Sequence, residues 1–114
     1  MSVFECKVSR EPEHVRLSLY GELDIAAAPE VDEELAALER SRPDLIVLDL
    51  RGLTFLDSTG LRALLGADAR AREEGRRVVL IQGPEPVQRV LSITGLDDRL
   101  DIVTDEAELA PGPG

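Results

Sequence analysis

Val15, Leu17 and Leu19 alternate with Arg16, Ser18 and Tyr20, a period of two that turns one face of an extended segment toward a core and leaves the other polar. Residues 4–10 supply an antiparallel partner for it across the turn Glu11-Pro12-Glu13. Beyond Asp24 the period changes. Val31, Leu35 and Leu38 recur at helical spacing, Glu30, Asp32, Glu33 and Glu34 occupy the early turns, Arg40 and Arg42 the end, and Pro43 blocks continuation, which predicts an amphipathic helix over about 27–41. The run Leu45 to Leu50 is too short for a free-standing helix and too continuously apolar for a half-exposed strand, so it predicts a central parallel strand. A second helix opens at Ser58, with Leu61, Leu64, Leu65 and Ala69 on its buried side, and Gly75 ends it before the strand Arg77 to Ile81. Pro84 begins a short third helix reaching about Thr94, with Gly95 as its terminator. Leu100 to Val103 read as a last short strand, Asp105 to Leu109 as a last helical turn or two, and residues 111–114 as a frayed, disordered tail.

This order predicts an α/β fold: one domain over residues 1–110, a mostly parallel sheet with an N-terminal antiparallel hairpin, and about four helices. In such sheets the loops that follow the carboxyl ends of the strands gather at one edge, where ligands and partners bind. Gly21 to Asp24 and Asp57 to Gly60 both follow strand ends, so they are expected to be neighbours in space.

Composition narrows the functional classes. A length of 114 residues suits one core. A net charge of −10 argues against nucleic acid and points to a protein partner with basic patches. No apolar run approaches the length of a membrane span and the first residues lack a signal-peptide core, so a cytoplasmic protein without a membrane partner is expected. Cys6, the single cysteine, and His14, the single histidine, cannot build a recognisable metal site; Cys6 reads as an ordinary strand residue and His14 as a strand-end residue. No metal or cofactor is expected.

The segment Asp57-Ser58-Thr59-Gly60, between the apolar run Leu53-Thr54-Phe55-Leu56 and the helical run from Leu61, carries the most information. It sets Ser58 at the N-cap of a helix, where unpaired amides and the positive end of the helix dipole favour an attached phosphate. Catalytic readings fail. An aspartic-protease motif needs Gly directly after Ser58 and a matching second carboxylate, an esterase elbow needs Gly at the position of Leu56, and a phosphate loop or a receiver needs a lysine, of which Lys7 is the last. The chain reads as a kinase substrate and not as an enzyme.

Together with Gly21-Glu22-Leu23-Asp24, the strand Asp44 to Leu50, Ser92-Ile93-Thr94-Gly95-Leu96 and the order of elements, this motif resembles the STAS family of anti-sigma factor antagonists over about residues 4–110. The resemblance implies that the unphosphorylated chain binds an anti-sigma factor, itself a serine kinase of the histidine-kinase-like ATPase class, and so frees a sigma factor. Phosphorylation of Ser58 by that partner would end the complex, and a metal-dependent serine/threonine phosphatase would reset it. Gly21, Glu22, Asp24, Asp57, Ser58, Thr59, Gly60 and Leu61 are then the expected partner-binding residues. Asp24 reads either as a contact or as a cap of the first helix, Gly60 either as space for a partner backbone or as tolerance of an awkward angle, and Leu61 as half core and half interface. A different class of function is a non-switching module of the same fold in a lipid-transport or stress-signalling assembly.

Overall fold

The computed structural model describes residues 3–109. Its strands are β1 (Phe4–Arg10), β2 (Val15–Leu23), β3 (Leu45–Leu56), β4 (Arg77–Ile81) and β5 (Asp101–Val103), and its helices α1 (Ala28–Glu39), α2 (Ser58–Glu73) and α3 (Glu85–Ile93). The tail expected at 111–114 lies outside the described residues. The strands form one sheet in the order β1-β2-β3-β4-β5, with β1 antiparallel to β2 and the remaining pairs parallel. Parallel neighbours that follow one another in sequence, joined by right-handed crossovers, require every helix to lie on the same face. The core has that composition: Val15, Leu17, Leu19, Ile46, Leu48, Leu50, Val78 and Leu80 from alternate strand positions share one cluster with Val31 and Leu35 of α1, Leu61 and Leu64 of α2, and Val87 and Leu91 of α3.

Among the described residues the opposite face carries no α-helix, yet Val47, Val79 and Ile81 on it are fully buried and stand apart from the leucine cluster. The chain returns over them after β5. Glu106 pairs there with Arg16 of β2 and Arg51 of β3, the latter at 2.9 Å, and Arg51 also chelates Asp49 through Nε at 2.9 Å and Nη2 at 2.7 Å. Burial pushes the Asp49 carboxyl up, but the hydrogen bonds from the Arg51 guanidinium and backbone amide outweigh it and hold the group below its usual range.

Two elements differ from the sequence expectation. The fourth helix is only a 3-10 turn, Glu106–Leu109, because Glu108 folds back to accept from the Thr104 and Asp105 amides at 2.8 and 2.9 Å and the segment has no apolar stripe to extend against. The central strand does not stop at Leu50 but continues to Leu56. From Ser18 to Leu23, five steps along β2, the facing stretch of β3 runs seven steps from Asp49 to Leu56, so β3 carries two extra residues as bulges. The bulges bury both Leu53 and Leu56, three residues apart, and turn Phe55 outward, which is why no simple alternation marks this stretch.

Candidate functional site

The carboxyl edge of the sheet brings the two expected loops together. Leu23 pairs with Leu56 at the ends of β2 and β3, and the Asp57 amide donates to the Leu23 carbonyl at 3.2 Å. Asp57, not Ser58, is the N-cap of α2: its backbone is extended, its Oδ1 accepts from the Gly60 amide at 2.9 Å, and its carbonyl accepts from the Leu61 amide at 2.9 Å. Ser58 is therefore the first helical residue. Aspartate and serine are comparably good caps, and Asp57 takes the position because it is the last residue with extended backbone after β3. Ser58 is exposed and Thr59 only partly so. The amides of Ser58 and Thr59 precede the first intrahelical bond, so an anion on Ser58 would meet unpaired donors and the positive end of a helix of 16 residues.

Asp57 also reaches across to the other loop, where its Oδ2 accepts from the Ile25 amide at 3.2 Å. Asp24 Oδ1 accepts from the Ala26 and Ala27 amides at 3.0 and 3.1 Å, and its carbonyl from the Ala28 amide at 2.9 Å. Asp24 thus closes the turn before α1, while the N-cap proper, Ala27, has no side-chain bond. Glu22, opposite Phe55, is half-buried.

Three of the expected contact residues have a role in the fold itself. Gly21 has a φ of +90°, and a Cβ there would overlap the Val3 carbonyl, which accepts from the Glu22 amide at 2.9 Å; only glycine fits. Gly60 is buried, and a Cβ on it would stand 2.6 Å from both the Leu23 carbonyl oxygen and Leu23 Cγ, so its missing side chain admits the end of β2 and not a partner backbone. Leu61 is 5% exposed and belongs wholly to the core. Two surface residues escaped the sequence reading. Ile25 is 72% exposed beside the Asp57 carboxylate, and Phe55, two residues before it, is 46% exposed over a groove shared with Pro86 and Val90 of α3. The signal for Ile25 was present: a large aliphatic directly after Asp24 that belongs to neither the strand nor the helix period.

Elsewhere the chemistry is quiet. Burial and the Glu30 carboxylate 3.3 Å away push the Cys6 thiol up to about 12, which keeps it protonated. Among the described residues no group of three or more His, Cys, Asp or Glu side chains could hold a metal ion, and no helix is long and apolar enough to cross a membrane.

The described residues thus form a five-stranded sheet with an exposed serine directly after a capping aspartate at its carboxyl edge. A family profile described as "Mlab, STAS domain" matches residues 6–104, and the chain belongs to the STAS-domain family of anti-sigma factor antagonists. The anti-sigma-B factor antagonist of Listeria monocytogenes is 31% identical over 100 residues, 88% of each chain. Among solved structures, an anti-sigma factor antagonist from Mycobacterium paratuberculosis superposes with a TM-score of 0.84 at 22% identity, covering 93% of this chain and 90% of that one. The Bacillus cell fate determinant SpoIIAA in its phosphorylated form superposes with a TM-score of 0.70 at 25% identity, covering 92% and 96%.

Proposed function

We propose that this protein is a cytoplasmic anti-sigma factor antagonist switched at Ser58. Unphosphorylated, it binds an anti-sigma factor that is also a serine kinase of the histidine-kinase-like ATPase class, and a sigma factor is released; phosphorylation of Ser58 ends the complex, and a metal-dependent serine/threonine phosphatase restores it. The observation that carries this reading is the exposed Ser58 hydroxyl at the first helical position of α2, directly after a capping Asp57. A phosphate there adds about −1.5 to −2 charges to an edge that already holds Glu22, Asp24 and Asp57. The helix start stabilises that charge, while a partner surface shaped for a neutral hydroxyl rejects it. Glu22, Asp24, Ser58 and Thr59 form the polar contact, with Ile25 and Phe55 as apolar flanks, and Gly21, Gly60 and Leu61 act by holding this edge in shape.

Incubation with a cognate kinase and ATP, followed by phosphopeptide mapping, tests the site: the phosphate is expected on Ser58 and absent from Ser58→Ala. Calorimetry tests the switch. Ser58→Ala keeps wild-type affinity and, because alanine is a good helix former at a non-cap position, keeps the fold. Ser58→Asp loses affinity by on the order of 100-fold, the scale of a like-charge clash at an interface. Equal affinity of all three proteins would favour a non-switching module instead.

A further inference from the structure

The carboxylate of Asp57 joins two segments that are 32 residues apart, and its two oxygens are used differently. Oδ1 takes the Gly60 amide at 2.9 Å inside the first turn of α2, where helix geometry and the packing of Gly60 on Leu23 hold both groups rigidly. Oδ2 takes the Ile25 amide at 3.2 Å, a longer bond to a loop otherwise closed only by its own Asp24 turn. Ile25, whose amide that carboxylate holds, is 72% exposed, and Phe55, two residues before Asp57, is 46% exposed, so two large apolar residues flank Asp57 at this edge.

We propose that Asp57 is a positioning residue that fixes Ile25 beside Ser58 as an apolar anchor for the kinase partner, and that a phosphate on Ser58 loosens Ile25 through Oδ2. The second half rests on the function proposed above. A phosphate on the adjacent residue competes for the amides of the first turn and repels the carboxylate, and the bond that yields is the longer one to the loop. Charge at Ser58 therefore changes two contacts at once: it adds an anion where the partner expects a hydroxyl, and it releases the anchor next to it.

Amide proton exchange of the full chain, followed at Ile25, Gly60 and a core residue such as Leu48, tests the positioning without any partner. Asp57→Asn keeps one carbonyl acceptor, which the rigid helix start retains, so the Gly60 amide stays protected while Ile25 exchanges faster by about two- to tenfold, the scale of one hydrogen bond. Asp57→Ala frees both amides, and Leu48 is unaffected in each. A role as a simple cap predicts instead that the Ile25 amide exchanges alike in wild type, Asp57→Asn and Asp57→Ala, and that result overturns the proposal. Chemically or enzymatically phosphorylated Ser58 protein is expected to match Asp57→Asn at Ile25; unchanged exchange there removes the coupling. Ile25→Ser is expected to raise KM for phosphorylation by about tenfold with kcat little altered, the mark of a lost binding anchor. An unchanged KM removes the anchor. Absence of any phosphorylation of wild type would count against the proposed function, while the exchange in Asp57→Asn still decides the positioning.

Discussion

Asp57 and Glu106 do the same geometric task in two places with different donors. Each is a carboxylate that bridges two segments far apart in sequence: Asp57 joins the start of α2 to the loop after β2, and Glu106 joins the chain beyond β5 to β2 and β3. The donors to Asp57 are backbone amides whose positions are set by a helix and a turn. The donors to Glu106 are guanidinium groups on side chains that are 24% exposed at Arg16 and 50% exposed at Arg51. Backbone donors cost no side-chain entropy to hold and are little affected by salt, whereas partly solvated ion pairs are screened and contribute modestly. The edge clamp thus keeps its geometry and leaves Ser58 open, while the segment after β5 is tied to β2 and β3 by partly solvated ion pairs.

The largest effect that would break this contrast is expected from Gly60→Ala. A Cβ at 2.6 Å from the Leu23 backbone forces α2 away from β2, so stability falls by about 1–3 kcal/mol and the Asp57 bond to Ile25 is lost with it. Urea unfolding gives the first, and the exchange rate of the Ile25 amide the second. Next comes Asp57→Ala, which removes the cap of α2 and costs about 1 kcal/mol, measured in the same way and only partly reduced by added salt, which screens the charge–dipole part but not the hydrogen bonds.

Acid sharpens the comparison from the other side. The folded carboxyl of Asp49 lies below its unfolded value, so its pairing with Arg51 stabilises the protein fully above the unfolded value of about 4 and is lost as pH falls through the folded one. Thermal unfolding is expected to show a decline below about pH 4 that is smaller in Asp49→Asn. The smallest effect belongs to Glu106→Gln, which weakens two screened ion pairs and costs about 0.2–1 kcal/mol in dilute buffer. That difference from wild type should vanish in about 1 M salt, where the Debye length is about 3 Å. A loss for Glu106→Gln that persists in high salt would mean that the segment after β5 is held by packing and not by charge.

Periodicity was sufficient where one face of an element is dry and the other wet. Val15, Leu17 and Leu19 on β2, or Val31, Leu35 and Leu38 on α1, carry their partners' positions in their spacing, and the glycines at 75 and 95 announced helix ends that the structure realises with φ of +71° and +74°. The same local logic located the Asp57-Ser58-Thr59-Gly60 segment at a helix start and beside Gly21 to Asp24. It failed where a residue's role depends on what lies opposite. The bulges of β3 have no alternation to reveal them, since their register is set by β2.

What the sequence determined by itself is therefore the element order, the sheet class and the position of the exposed serine, because these follow from short-range spacing and from residues that begin or end helices. What only the tertiary structure decided is which of two neighbours caps α2, that Gly60 makes room for Leu23 and not for a partner, that Leu61 is core, and that Asp57 holds Ile25. The cap was settled by the point at which the backbone of β3 stops being extended, and the other three are contacts between segments remote along the chain. Their distances are fixed by how β2, β3 and α2 pack together, and no local pattern encodes that packing.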